Sequence, residues 1–272
     1  MNVPSRGQTR LLLRAVAALC ATAVLSAPAG GRAAEPPVRR VLVAASADLR
    51  LVFEELAGTF ERRNPGVKIV PTFGASGTFV AQIQQGTPFD LFLGADRAFA
   101  SRLHEAGLAR GAPFPYAIGK LVLWVAAPAR VDPNVLGVGA VVNPAIKRIA
   151  IANPVVSPYG VAAEQALRSA GFLDTVKGKL VEAESILQVI QLAQSGNVQA
   201  AFVPWSMVVV PPLASLGRYV TVPASSYSPI EQFGVVLAGA RDPKLAEEFA
   251  AFLRGPTGRT ILERHKYALP HS

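Results

Sequence analysis

The chain has 272 residues, a single cysteine and a formal net charge of +9. This length suffices for one large domain or two lobes of ordinary size. The positive charge is scattered in pairs such as Arg62-Arg63 and Lys147-Arg148, and no long basic stripe with interleaved aromatic residues occurs, which argues against nucleic-acid binding. A mildly positive surface still favours encounters with small anions.

The first 33 residues are predicted to be a secretory signal peptide. Arg6, Arg10 and Arg14 lie in a stretch without acidic residues, and an uncharged run over 15–27 follows. That run is too short to span a bilayer, and small residues suitable for cleavage follow it, ending at Ala29 or at Ala33. A membrane anchor or a disordered tail is the alternative, but no later run reaches the ~20 apolar residues of a spanning helix. We therefore predict a periplasmic protein whose mature form does not span the membrane.

Removal of this segment lowers the net charge and removes the cysteine. Cleavage after Ala33 leaves 272 − 33 = 239 residues and removes four arginines and no carboxylates, so the charge falls from +9 to +5. It also removes Cys20, the one cysteine. The mature chain can then contain neither a disulfide nor a cysteine metal site.

Strand-like and helical patterns alternate in the first part of the mature chain. Residues 41–45, 67–73 and 90–94 are short apolar runs, and apolar residues at helical spacing predict helices over 49–60 and 79–85. The first helix must end near Asn64, because Pro65-Gly66 follows. This βαβαβ pattern predicts a mainly parallel sheet covered by helices, which receives ligands at the carboxyl ends of its strands.

A second α/β unit follows the strongly apolar run over 121–126 and a looser stretch with prolines and glycines. Strands are predicted over 149–152, 200–203 and 220–222, helices over 161–170 and 186–195, then a strand over 233–237 and amphipathic helices over 244–254 and 257–267. The predicted fold class is α/β with two units.

Four junctions between a strand-like run and a following helical run are candidate anion sites. They contain Ser46, Ser76, Tyr159 and Ile186. The first backbone N–H groups of a helix have no partner within the helix and favour negative charge. Because a doubly charged oxyanion offers only acceptor oxygens, hydroxyl and N–H groups can hold it without Lys or Arg. The junctions therefore predict a site for a small inorganic anion.

Each of these residues also has an ordinary structural interpretation. Ser46 could simply cap its own helix, and the glycines around Ser76 suit a tight turn as well as a close approach to a ligand. Tyr159 could pack between lobes, while Ile186 could contribute only its N–H group. Asp48 is interpreted as a partner of the helix dipole rather than a ligand, because its carboxylate would repel an anion.

Catalysis and metal binding have little support. The segment Gly74-Ala75-Ser76-Gly77 lacks the G-x-S-x-G spacing of a nucleophile elbow, and no Walker-type or dinucleotide-binding glycine signature is found. The three histidines, His104, His265 and His271, lie away from the strand ends and form a poor zinc set. We predict neither an enzyme nor a cofactor.

Over nearly its whole mature length the chain resembles the periplasmic molybdate-binding proteins of ABC transporters, which are type II periplasmic binding proteins. The resemblance depends on the order and number of short segments, among them AASADL at 44–49, FGASGT at 73–78, GTPFDLFLGAD at 86–96, YAIGKLVLW at 116–124 and FLRGP at 252–256. No single segment is decisive.

The resemblance implies two lobes joined by crossing strands, with the ligand in the cleft between them. Residues 38–119 and 232–272 would form lobe 1, and residues 120–231 would form lobe 2. Ser46 and Ser76 match hydroxyl donors of the family, and Tyr159 and Ile186 match positions that give backbone N–H groups. These four would hold the molybdate oxyanion with no direct ligation of the metal. A fifth family position, tyrosine in some members, falls in Val203-Pro204-Trp205-Ser206, where the match fails.

The predicted function is therefore capture of molybdate, and of tungstate, by a monomeric solute-binding protein that delivers the ion to a membrane permease. Both ions are tetrahedral dianions of similar size, so a site made of donors should hardly distinguish them. Sulfate and phosphate are alternatives. Phosphate retains a proton and needs an acceptor, which only Asp48 could supply. A small organic anion should require an Arg clamp, and the four junctions contain none.

Overall fold

The computed structural model describes residues 38–270 of the chain. The predicted signal peptide over 1–33 lies outside the described residues. Among the helices of the described part, none is long and apolar enough to cross a membrane.

Ten strands occur within the described residues. They are β1 Arg39–Ser46, β2 Val67–Gly74, β3 Leu91–Gly94, β4 Ala109–Gly119, β5 Leu121–Ala126, β6 Ile149–Ala152, β7 Leu180–Ala183, β8 Ala200–Pro204, β9 Gly217–Thr221 and β10 Ile230–Leu237.

The same part of the chain contains seven longer helices and four single-turn ones. They are α1 Arg50–Arg63, α2 Ser76–Gln84, α3 Arg97–Glu105, α4 Pro133–Leu136, α5 Pro158–Ser169, α6 Leu173–Val176, α7 Ile186–Gln194, α8 Trp205–Val208, α9 Leu213–Leu216, α10 Pro243–Arg254 and α11 Pro256–Arg264.

The strands form two five-stranded sheets with the same arrangement. The first has the order β2-β1-β3-β10-β4 and the second β7-β6-β8-β5-β9. In the first sheet β10 pairs antiparallel with both neighbours while β1 pairs parallel with β2 and β3, so four of the five strands point the same way. In the second sheet β5 is the single reversed strand. The predicted mainly parallel α/β fold is confirmed.

The chain passes between the two sheets twice, at Lys120 and between Thr221 and Ile230. We call the residues that build the first sheet and its helices lobe 1, and those of the second sheet lobe 2. The predicted boundary at 120 lies in the first passage. The predicted boundary at 232 lies inside β10, because that strand already starts at Ile230.

Each lobe has its own apolar core. In lobe 1 the rings of Phe53 and Phe249 lie on one face of the sheet and Phe79 and Phe92 on the other. The core of lobe 2 surrounds Trp124 and also includes two alanines of lobe 1, Ala47 and Ala95. These two follow β1 and β3 directly, so the lobes pack together at the carboxyl ends of the strands of lobe 1.

Candidate functional site

The two serines of lobe 1 lie at neighbouring strand ends. Ser46 is the last residue of β1 and pairs with Gly74, the last residue of β2, two positions before Ser76. The Oγ atom of Ser76 accepts a hydrogen bond of 3.0 Å from the N–H group of Ala95, just beyond β3. Three adjacent parallel strands therefore bring both serines to the side of the sheet formed by the carboxyl ends of its strands. Ligand sites in such folds lie on this side.

Neither serine caps a helix with its side chain. Ser46 precedes a 3-10 turn, Ala47–Leu49, rather than α1 itself, and its hydroxyl makes no capping hydrogen bond. Ser76 is the first residue of α2, and Ala75 occupies the capping position. Because a hydroxyl that accepts one hydrogen bond still has its own proton to donate, Ser76 can hold its turn and also bind an anion.

Two backbone N–H groups of lobe 2 lie at the starts of helices that follow the strands β6 and β7. Tyr159 is the second residue of α5, which follows β6, and Ile186 is the first residue of α7, which follows β7. Within residues 38–270 neither N–H group has a hydrogen-bond acceptor, as is normal for the first turn of a helix. The N–H group of Asn153 donates to the Ala183 carbonyl over 2.7 Å and so joins the two strand ends.

The start of α5 is held tightly against β6. A Cβ atom built on Gly160 would lie 2.1 Å from the Ala152 carbonyl oxygen. Only glycine permits this approach, which places Tyr159 directly at the end of the strand.

The two lobes meet at these strand ends. The Gly77 N–H group in α2 donates to the Val156 carbonyl over 3.0 Å, and α7 contacts the Ala47–Leu49 turn. The structure thus brings the four predicted residues to one junction between the lobes. All four are at least nine-tenths buried there: Ser46 is 5% exposed, Ser76 1%, Tyr159 2% and Ile186 3%.

A buried polar group at this junction was not predicted from the sequence. Asp48 is 0% exposed, and its Oδ2 atom accepts hydrogen bonds from the Tyr159 hydroxyl at 3.0 Å, the Gln232 side-chain amide at 3.0 Å and the Tyr267 hydroxyl at 2.8 Å. Its Oδ1 atom has no hydrogen-bond partner among residues 38–270. Asp48 lies in the first turn of the 3-10 helix Ala47–Leu49, where the sequence placed it. Its carboxyl group accepts hydrogen bonds from side chains of both lobes, a role that the sequence did not indicate.

Two further side chains complete the group. The Tyr116 hydroxyl donates to Gln232 Oε1 over 3.0 Å or to the Gly94 carbonyl over 3.2 Å. The Ser206 hydroxyl lies 3.4 Å from both the Asp48 carbonyl oxygen and the Tyr267 hydroxyl. We call the six residues the Asp48 cluster: Asp48, Tyr116, Tyr159, Ser206, Gln232 and Tyr267.

Burial determines the electrostatics of this cluster. Desolvation raises the pKa of the Asp48 carboxyl group, although the neighbouring hydroxyl groups of Ser46, Tyr267 and Tyr159 act in the opposite direction. Burial, with the nearby Asp48 charge, also raises the pKa of Tyr116, Tyr159 and Tyr267 well above the ordinary tyrosine value. The tyrosines therefore remain neutral hydrogen-bond donors.

At the fifth position suggested by the family resemblance, Pro204 and Trp205 supply no free backbone N–H group. Pro204 has no N–H group, and the Trp205 N–H group already donates to the Lys120 carbonyl over 2.8 Å. Ser206, the next residue, is directed to the Asp48 cluster instead.

The histidines lie apart from this junction. His104 is in α3, and the Nε2 atom of His265 lies 2.9 Å from Glu55 Oε2. His271 is outside the described residues. Within residues 38–270 no group of three or more His, Cys, Asp or Glu side chains is placed to hold a metal ion.

Comparisons with known proteins agree with this fold. The profile of the family described as bacterial extracellular solute-binding protein matches residues 41–268. The molybdate-binding protein ModA of Azotobacter vinelandii is 37% identical over 248 residues, which cover 90% of this chain and 96% of that protein. The ModA protein of Rhodobacter capsulatus is 36% identical over 228 residues, or 84% of this chain and 87% of its own length. The solved structure of the A. vinelandii periplasmic molybdate-binding protein superposes with a TM-score of 0.77 at 34% identity. The superposition covers 86% of this chain and 100% of that one.

Proposed function

This chain belongs to the bacterial extracellular solute-binding protein family, and on that basis we propose that it captures molybdate for an ABC importer. The relatives named as molybdate-binding proteins cover most of the chain, which supports molybdate over other solutes. In this role the protein works in the periplasm, as a monomer, and passes its ligand to a membrane permease.

The observation that carries the proposal is the set of buried donors at the junction of the lobes. Ser46 and Ser76 lie at strand ends of lobe 1, and the N–H groups of Tyr159 and Ile186 lie at helix starts of lobe 2. Donors on both sides allow one dianion to hold the lobes together. Hydrogen bonds to a charged acceptor are about twice as strong as those between neutral groups, so this set can replace the hydration of the ion without Lys or Arg.

The same donors should accept tungstate, because both ions are tetrahedral dianions of similar size. Phosphate near neutral pH carries a proton and needs an acceptor. Asp48, which is buried beside the junction, could supply one only as a carboxylate, and desolvation raises the pKa of its carboxyl group and so favours the protonated form. A site of this kind should therefore favour a fully deprotonated oxyanion over phosphate.

Calorimetric titration of the purified protein with molybdate, tungstate, sulfate and phosphate in turn tests the proposal. We expect one molybdate or tungstate per chain with similar affinity, and much weaker binding of sulfate and phosphate. Sulfate or phosphate affinity comparable to that of molybdate contradicts the assignment. Absence of molybdate binding contradicts it as well.

A further inference from the structure

Tyr159 has two hydrogen-bonding groups at the junction of the lobes. Its N–H group lies at the start of α5 among the proposed anion donors, and its hydroxyl donates to Asp48 Oδ2 over 3.0 Å. Asp48 lies two residues beyond Ser46, in the turn that follows β1. One hydrogen bond therefore joins the anion-binding segment of lobe 2 to that of lobe 1.

We propose that Asp48 is a positioning residue that, as a neutral carboxylic acid, holds Tyr159 in place for the anion. Where Asp48 is ionised in the free protein, binding of the anion makes it take up the proton that converts it to this neutral form. This inference rests on the proposed function, since it concerns the same junction. Asp48 does not touch the anion in this scheme and acts through Tyr159.

The hydrogen bonds leave one carboxyl oxygen of Asp48 open for a proton. Three donors surround Asp48 Oδ2, but the Tyr267 hydroxyl also lies 2.9 Å from the Asp48 carbonyl oxygen and can donate to it instead. The Tyr159 and Gln232 donors then satisfy the two lone pairs of one carboxyl oxygen. The other oxygen, Oδ1, has no partner within the described part of the chain and is the atom free to carry the proton.

The surroundings of Asp48 supply no compensating charge. The groups that contact its carboxyl group are Tyr159 from α5, Gln232 from β10 and Tyr267 from the segment after α11, with Ser46 at the end of β1. Tyr116 of β4 and Ser206 of α8 complete the surroundings, and neither they nor the others carry a cation. Burial penalises a carboxylate that has no cation beside it, and a nearby dianion adds repulsion. The raised pKa of Asp48 agrees with this argument.

Binding of the anion and protonation of Asp48 are therefore coupled. A dianion beside the carboxyl group favours its neutral form, so wherever Asp48 is ionised in the free protein, binding draws one proton from the buffer. By linkage the affinity should fall as pH rises above the pKa of Asp48 in the free protein. The tyrosines of the cluster keep their protons over this range because burial raises their pKa.

Titration of four proteins with molybdate tests the inference: wild type, Asp48→Asn, Tyr159→Phe and the control Tyr219→Phe. Asparagine imitates the neutral acid, and phenylalanine removes the hydroxyl but keeps the N–H group. The Tyr219 hydroxyl accepts a hydrogen bond from Trp205 Nε1 at 3.3 Å, in lobe 2 but outside the cluster. Titrations at several pH values, in two buffers of different ionisation enthalpy, give both the affinity and the number of protons taken up.

We expect proton uptake and a loss of affinity at rising pH in the wild type, and neither in Asp48→Asn. Tyr159→Phe should bind about tenfold more weakly, whereas Tyr219→Phe should match the wild type. If Asp48→Asn does not fold, the wild-type proton count and Tyr159→Phe still decide the question. Wild-type affinity in Tyr159→Phe, or a wild-type protein that takes up no proton at any pH, overturns the inference. A wild-type protein that does not bind molybdate overturns the proposed function itself, so the two failures are distinguishable.

Discussion

At the scale of single residues, the Ser76 side chain can stabilise the local structure and also bind the ligand. Its Oγ atom accepts the Ala95 N–H group, which fixes the turn after β3, while its own proton is free for an anion. Ser46 makes no capping hydrogen bond. The arrangement favours a role in binding over helix capping, and the two roles predict different effects of mutation.

Replacement of Ser46 or Ser76 by alanine should weaken molybdate binding about ten- to a hundredfold, because each change removes a hydrogen bond of roughly 1.5 to 3 kcal/mol to a charged acceptor. If the serines only supported local structure, stability would fall by about 1 kcal/mol and affinity would be retained. Thermal unfolding without ligand and titration with molybdate separate the two quantities. Ser215→Ala is a matched control, since the exposed Ser215 hydroxyl donates only to the Pro212 carbonyl. Unchanged affinity in both Ser46→Ala and Ser76→Ala would remove these residues from the site.

Asp48 should also make the stability of the ligand-free protein depend on pH. Its pKa is raised in the folded state, so the folded protein holds this proton more tightly than the unfolded chain. The resulting stabilisation is fully present below the pKa of the unfolded chain and is lost as pH rises through the raised folded pKa. Asp48→Asn cannot lose such a proton. Urea unfolding at a series of pH values should show that the wild type loses more stability than the variant over this interval, and parallel curves would contradict the assignment.

At the scale of the elements, the junction between β6 and α5 determines where Tyr159 lies. Gly160 allows the first turn of α5 to contact the Ala152 carbonyl, and the cap residue Ser157 makes no side-chain hydrogen bond that would occupy the N–H groups. The helix starts at Pro158, three residues before the start predicted from apolar spacing at 161. Proline suits this position because its missing N–H group would have had no partner in the helix.

Gly160→Ala should displace the start of α5, because its Cβ atom would lie 2.1 Å from the Ala152 carbonyl oxygen. We expect a loss of stability of about 1 to 3 kcal/mol and a weaker molybdate affinity, since the Tyr159 N–H group moves with the helix. Gly178→Ala is the control in the same lobe, where a Cβ atom would have no neighbour within 4 Å. Calorimetry and thermal unfolding measure both effects. Equal behaviour of the two variants would show that the close approach is unimportant.

β4 illustrates an element that periodicity does not reveal. Ala109–Gly119 has a mostly exposed first half and contains two prolines, Pro113 and Pro115. Proline cannot donate to a sheet and is confined to edges and strand ends, and β4 is the edge strand of its sheet. Its sequence therefore lacks both the alternation and the continuous apolar run that identified strands such as β1 and β6.

At the scale of the whole molecule, the proposed site belongs to neither lobe alone. Lobe 1 contributes the hydroxyl groups and lobe 2 the N–H groups, and the contacts between Gly77 and Val156 and between Asp48 and Tyr159 join them. An anion held in this way is surrounded by buried hydrogen bonds rather than by mobile charged side chains.

Molybdate affinity should consequently depend only modestly on salt concentration. Attraction by exposed charges is screened over about 8 Å at physiological ionic strength, whereas buried hydrogen bonds are not. Titrations at low and high concentrations of sodium chloride measure the dependence. A steep loss of affinity at high salt would indicate a basic surface site instead of the buried junction.

Much of the architecture was predictable because it depends on local pattern. The strand at Ile149–Ala152 has the bounds predicted from its apolar run, and the four junctions were recognisable from the residues at the ends of such runs. The four proposed anion donors lie at these junctions, and their role remains a prediction. The Asp48 cluster has no comparable local signal. The one local feature that points to this cluster is Asp48 itself, an aspartate within the largely apolar segment 44–49.

The sequence by itself determined the alternation of strands and helices, the position of the candidate donors and the family to which the chain belongs. These features depend on neighbouring residues and on the periods of helix and strand. Only the tertiary structure decided which side chains meet Asp48, because Tyr159, Gln232 and Tyr267 lie 111, 184 and 219 positions away along the chain. The two passages between the sheets bring these distant residues together, and the burial that results determines the protonation and hydrogen bonding of the cluster.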